Sequence, residues 1–274
     1  MSFDIADYVR ALQREYASGR ANGYTSQQAL KGLIEGLDSG LRVDHDLRRA
    51  EVGGPDLIVY RGGLAVGYIL LTGIGGDLNS LEAAARRLQP ICANVLMTNY
   101  LDLRPVVPTQ SARLATIRNR QVESDRGASS ALNLLRQFVT STPATLRTSA
   151  ELAERLGRMA ALLRDLLAEC AASDAPDRAF LGHLDVWRAA FDPQLSAAAF
   201  AEDYAQAITF GLIAAAMRHS GSARQQRFTL RDAVWDQPPT SPFMRGFFRE
   251  VEHLDSRVTW LIEALTALLA HTDM

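Results

Sequence analysis

The residues of chemical interest begin at Gly53-Gly54-Pro55-Asp56, where an acid opens an apolar run, Asp56–Arg61. A Gly62-Gly63 turn leads into a second run, Leu64–Thr72, so the two read as a β-hairpin. Side chains alternate along a strand, which puts positions 70 and 72 on one face of the second run. Two carboxylates converging from such strands can hold a hard cation that activates water and neutralises a scissile phosphate. In this chain position 56 is an acid, and positions 70 and 72 on that face are Leu70 and Thr72.

The composition sharpens that observation. The chain has 274 residues, 29 basic side chains against 31 acidic, and a net charge of −2. Only one of the basic residues is a lysine, Lys31, so a catalytic lysine must be that residue or none. No glycine-rich loop precedes Lys31, and its place opposite the apolar stripe of its helix reads as a solvated surface. The net charge gives no whole-chain attraction to nucleic acid or acidic lipid. Two cysteines, Cys92 and Cys170, suit a reducing compartment and cannot by themselves build a zinc cluster. The N-terminus has acids where a signal peptide needs basic and then apolar residues, and the best apolar run, Ile208–Met217, is too short to span a bilayer. The expectation is a cytoplasmic protein without a membrane partner.

The elements that would position these residues fall into two groups. Ile5, Tyr8, Val9, Leu12 and Tyr16 recur at helical spacing over 3–18, and Thr25 is a plausible cap for a second helix carrying Leu30, Leu33, Ile34 and Leu37. The hairpin follows, then a helix over about 79–89 and another apolar run, Ala93–Thr98. After residue 122 strand signals nearly vanish and helical patterns take over, at about 126–140, 149–171, 176–191, 196–219, 241–251 and 255–271. The fold class expected is α+β: an α/β/α nuclease-like sheet flanked by helices over 1–122, then an all-α helical connector over 123–274.

With the hairpin and these stretches in view, the chain resembles the N-terminal part of the single-polypeptide restriction-modification enzymes, the type ISP group and related N6-adenine methyltransferase fusions. Their nuclease domain is of the PD-(D/E)xK type. The resemblance rests on Gly53 to Val59, Gly67-Tyr68-Ile69, Ile74 to Leu78 and Asn94 to Leu101. In the helical half it rests on Phe200 to Gln206, Ser241 to Arg245 and Leu254-Asp255. It runs nearly end to end and stops at His271 to Met274, about where the family continues toward its methyltransferase.

The resemblance implies a metal-dependent nuclease site, and the departures from it are concentrated there. The family pattern at 67–72 reads Gly-Tyr-Ile-Glu-Ala-Lys; Leu70 and Thr72 occupy its Glu and Lys positions. An upstream acid falls near Asn22 and a glutamine near Ala84. Only Asp56 survives from the cation-binding set, which implies a catalytically inactive nuclease fold with no cofactor of its own. A rearranged Mg²⁺ site would have to use Asp56 and Asp77, with Glu82 and Arg86 or Arg87 nearby. Asp77 and Glu82 otherwise read as helix-start residues.

The implied partner is a DNA methyltransferase domain or subunit, which would hold the S-adenosylmethionine; no Asn/Asp-Pro-Pro-Tyr/Phe motif occurs in this chain. Two acid-free stretches could meet a DNA backbone. One carries Arg104, Arg113, Arg118 and Arg120, the other Arg218, Arg224 and Arg227. The reading is a scaffold or DNA-backbone platform of a restriction-modification or phage-defence system. The alternatives are a Mg²⁺-dependent endonuclease with a rearranged site, and a protein-interaction module that does not bind DNA.

Overall fold

The computed structural model describes residues 4–18, 24–91, 94–107, 110–140, 148–220, 227–237 and 242–272. Its contacts divide the chain into two compact units, Met1–Thr145 and Leu146–Met274. The architecture is α+β, as the sequence pattern predicts.

In the first unit, α1 (Ile5–Ser18) and α2 (Tyr24–Glu35) precede strand β1 (Leu41–His45) and a short helix α3 (Leu47–Ala50). The hairpin is β2 (Leu57–Arg61) and β3 (Leu64–Leu71), antiparallel, with Leu57 opposite Ile69. Gly62 and Gly63 both have positive φ, the backbone that a two-residue turn of this hand requires. A 3₁₀ turn (Leu78–Leu81) and α4 (Glu82–Leu88) then cross over to β4 (Val95–Thr98), which runs parallel to β3. Strands β5 (Asp102–Pro105) and β6 (Ala112–Arg113) complete a six-stranded sheet in sequential order, antiparallel at every pair but β3–β4. A separate ribbon pairs β7 (Ala115–Arg118) with β8 (Gln121–Ser124).

Helices α1 and α2 lay Tyr8, Leu12, Leu30, Leu33 and Ile34 onto the sheet residues Leu57, Val59, Ile69, Leu96 and Leu103 to make one core. Helix α5 (Ala128–Thr140) adds Leu135 and Phe138 to the same core. The Asn94 amide fastens it, donating to the Val66 and Phe138 carbonyls at 2.6 Å each. The first unit therefore includes α5 and runs past residue 122; the helical pattern that begins there first serves the sheet.

The second unit comprises α6 (Ser149–Ala172), α7 (Arg178–Ala190), α8 (Ala197–Ser220), α9 (Leu230–Trp235), α10 (Pro242–Val251) and α11 (Ser256–Ala270). Thr148 opens α6 with a capping box to Glu151. Asp177 caps α7 through one carboxylate oxygen and accepts the Asp255 N–H at 2.7 Å through the other, tying that turn to the start of α11. Arg257 is fully buried beside Asp255 and also donates to the Ser173 hydroxyl and the Ala175 carbonyl, so its charge is compensated on every side named. No helix among the described residues is long and apolar enough to cross a membrane.

Candidate functional site

The parallel pair β3–β4 leaves its two C-terminal ends side by side, the position at which open sheets with a crossover helix present ligand sites. Backbone bonds extend the ladder past the strand ends: Thr72 N–H donates to the Thr98 carbonyl at 3.1 Å and Gly75 N–H to the Asn99 carbonyl at 3.0 Å. Gly75 has φ +71°, and a Cβ on Gly76 would lie 2.8 Å from Thr72 Oγ1, so the loop after β3 closes only with glycine at these positions. Above these ends opens a cavity of about 490 Å³. Its walls are Glu15 and Tyr16 from α1, Ser26 and Gln27 from α2, Asp56 just before β2, Leu71 at the end of β3 with Thr72 to Ile74 after it, and Tyr100 after β4.

Asp56 is 8% exposed, and Leu71 N–H donates to its Oδ2 at 2.8 Å. Burial pushes its carboxyl up to about 6, against the opposing pull of backbone hydrogen bonds and of the Arg49 guanidinium. Continuing the β2–β3 register by one step sets Asp56 across from Leu70. Leu70 is 2% exposed and does not line the cavity, whereas Thr72 does. The hairpin thus brings Asp56, Leu70 and Thr72 together at one end of the sheet, with one carboxylate among them.

A second carboxylate comes from a residue outside the predicted set. Glu15 is 6% exposed on the buried face of α1, one turn beyond Leu12, and Ser26 donates a short hydrogen bond to its Oε2. Its Oε1 has no hydrogen-bond partner among the described residues. Gln27, 5% exposed, likewise leaves Oε1 without one, while its side chain hydrogen-bonds Tyr100. Burial raises the Tyr100 phenol well above its ordinary value, and the neighbouring Asp56 and Glu15 charges raise it further. The sequence signal for Glu15 is its spacing: Tyr8, Leu12 and Glu15 share one stripe, and an acid in an apolar stripe needs a reason.

Tyr100 is held in place with unusual completeness. Its φ is +69°, an uncommon conformation for a bulky residue. Its N–H donates to Thr98 Oγ1 at 3.0 Å, and its carbonyl accepts the Tyr8 hydroxyl at 2.6 Å. Next to it, Asn99 Oδ1 accepts the Leu101 and Asp102 N–H groups, and its amide donates to the Gly76 carbonyl at 2.8 Å. The side chains of Thr98, Tyr8 and Gln27 therefore hold one left-handed residue that lines the cavity, and Asn99 fixes the turn around it.

The other predicted site residues lie elsewhere. Asp77 caps the 3₁₀ turn through Asn79 N–H at 2.9 Å and is not in the cavity wall. Glu82 pairs with Arg86 at 2.9 Å and with Arg104 at 3.6 Å. Arg87 donates to the Val52 carbonyl at 3.0 Å. The cation that acts on Asp56 is Arg49, and no local pattern identifies it in the sequence. Asn22 lies outside the described residues, and Ala84, in α4, has no polar group to offer. Among the described residues no cluster of three or more His, Cys, Asp or Glu side chains could hold a metal ion.

The arginines divide. Arg113 is committed to Asp102 at 2.6 Å, and Arg104 to Asn79 at 3.0 Å and to Glu82. Arg118 and Arg120 are exposed on the β7–β8 ribbon, where Asn119 and Arg120 form the tip with positive φ. In the helical unit Arg218 is exposed in the last turn of α8, and Arg227 contacts His271. Arg224 lies outside the described residues.

No protein-family model matches the chain, and no curated protein is similar to it. A cryo-EM structure of a DrdV–DNA complex aligns with 98% of this chain at 17% identity and a TM-score of 0.37; the chain spans 27% of that chain's length. So low a score adds nothing to the fold, which stands on the strands and helices described above.

Proposed function

We propose that the chain is a nuclease-like α+β module without hydrolytic activity, followed by a helical connector, that serves as a scaffold or DNA-backbone platform beside a DNA methyltransferase domain or subunit. The observation that carries the reading is the environment of Asp56. Its carboxylate is desolvated and bonded to a backbone amide, with buried Leu70 across from it where a second acid would be needed. Mg²⁺ demands near-octahedral oxygen coordination and keeps several waters. Asp56 and Glu15, with Leu71 and Ile74 beside them, fit that demand poorly, and among the described residues no lysine or arginine lines the cavity to stabilise a leaving phosphate.

One observation favours metal-dependent hydrolysis as a second reading: Glu15 supplies the cavity with a carboxylate besides Asp56. Incubating supercoiled plasmid with the protein and Mg²⁺ or Mn²⁺ separates the two. The first reading expects intact plasmid. Cleavage that disappears in Asp56→Ala and in Glu15→Gln would establish the second.

A further inference from the structure

The cavity at the β3–β4 ends is rich in acceptors, and among the described residues no lysine or arginine lines its wall. Glu15 Oε2 is occupied by Ser26, but Glu15 Oε1 is buried and has no partner among the described residues, and no rotation can turn a carboxylate oxygen into a donor. Leaving such an oxygen unsatisfied costs free energy that a ligand's donor would recover. Gln27 Oε1 is a further buried acceptor without a partner among the described residues, and the amide can turn to suit what it meets. Asp56 completes the set, with the Arg49 charge acting on it without lining the cavity.

The space argues for an organic ligand. About 490 Å³ falls in the range of small-molecule sites and is far larger than a bare ion needs. Leu71 and Ile74 give it an apolar wall, and Tyr16 and Tyr100 bring two aromatic rings, whose faces attract cations. Fixed acceptors on an apolar wall suit a flat or slender cation that carries several N–H donors on a hydrocarbon body.

We propose that this cavity binds a small organic cation with N–H donors, of the amidinium, guanidinium or primary-ammonium kind, with Glu15 and Asp56 as its anionic contacts and Gln27 as its neutral one. Binding needs no covalent step. The inference rests on the reading of the cavity as non-hydrolytic, because a divalent ion between the two carboxylates would take the same oxygens.

Benzamidine, its neutral analogue benzamide, and Mg²⁺ are the probes, each titrated into the full chain by calorimetry. Saturable benzamidine binding is expected, with benzamide at least about tenfold weaker, since about 1.4 kcal/mol from one charge-assisted contact is tenfold in affinity. Glu15→Gln keeps an oxygen for Ser26 and weakens benzamidine by about tenfold or more; Asp56→Asn does the same should Glu15→Gln fail to fold, as read by far-ultraviolet circular dichroism. Equal binding of benzamide and benzamidine, or benzamidine affinity unmoved by both variants, overturns the proposal. So does Mg²⁺ that displaces benzamidine at lower concentration than benzamidine itself requires. The plasmid assay keeps the two readings apart: cleavage defeats the non-hydrolytic reading, whereas intact plasmid without benzamidine binding defeats this inference alone.

Discussion

The Asp56 carboxylate accepts the Leu71 N–H at 2.8 Å, so the acid that opens β2 is bonded to the end of β3. That bond accounts for how a nearly buried carboxylate is tolerated at all, because the amide dipole replaces part of the lost hydration. It does not replace all of it, since burial still pushes the group up to about 6.

Asp56 therefore makes stability depend on pH in a defined direction. A carboxyl near 3.9 in the unfolded chain and about 6 in the folded one means that the folded state binds more protons between those values. The stabilising contribution is present in full below about pH 4, is lost as pH rises through about 6, and stays lost above. Asparagine keeps an oxygen for the Leu71 amide without the charge. Asp56→Asn is expected to be more stable than the wild type at neutral pH, by on the order of 3 kcal/mol, and no more stable near pH 4. Urea unfolding of both proteins across this range measures it, and the difference cancels the exposed carboxylates common to the two. An unchanged difference across the range would show that Asp56 does not titrate there.

The seat of α5 on β3 is the second testable contact. A Cβ on Gly67 would lie 2.4 Å from Phe138 Cζ, closer than packing allows. Gly67→Ala is expected to lower stability by about 1–3 kcal/mol, the usual cost of overpacking. Shortening the neighbour relieves the clash, so Phe138→Leu should cost less in the Gly67→Ala background than alone. A double-mutant cycle in denaturant reads the coupling. Strict additivity would mean that the two side chains do not meet.

The β2–β3 hairpin was legible because both its signals are local: Gly62-Gly63 supplies two positive-φ residues, and the flanking runs are apolar enough to be strands. The strand β1 was not, because the alternation of Leu41 and Val43 with Arg42 and Asp44 is only five residues long and is fixed by its pairing with β2. Strands β5 to β8 are two to four residues long and carry no period of their own. At the site, Asp56 stood out from its place before an apolar run, while Glu15 and Gln27 meet it through the packing of α1 and α2 on the sheet. The arginines show the same limit. An acid-free window around Arg104 and Arg113 says nothing of Glu82 and Asp102, which lie outside it in sequence and next to it in space.

That division among the arginines yields a prediction about DNA. Arg104 and Arg113 already neutralise carboxylates, so their charge is largely spent, whereas Arg118 and Arg120 are exposed at and beside the ribbon tip. A twisted two-stranded ribbon is a shape that nucleic-acid grooves accept. If the platform reading holds, duplex binding falls steeply with salt, and the double variant Arg118→Ala, Arg120→Ala lowers the slope of log affinity against log salt by about 2. Arg113→Ala should change it little. Fluorescence anisotropy with a labelled duplex at several salt concentrations tests both, and a slope untouched by the double variant removes the ribbon from the interface.

Cys170 offers a readout of the helical unit. It is fully buried on α6, and burial pushes its thiol up to about 12; Arg257 pulls it down while Asp255, Asp177 and Glu169 push it further up. The thiolate is the reactive form, so both burial and protonation protect it. In a Cys92→Ser background, a disulfide reagent at mildly alkaline pH should label native Cys170 at least about 10³-fold more slowly than the urea-unfolded chain, matching the open-state populations of an ordinarily stable domain. Arg257→Leu removes the positive charge that Asp255 faces and leaves that carboxylate buried, a change that costs about 3–5 kcal/mol in comparable buried pairs. It should therefore speed labelling through easier opening, although it withdraws the one charge that favours the thiolate. Slower labelling in Arg257→Leu would mean that local electrostatics, and not opening of the unit, governs access to the thiol.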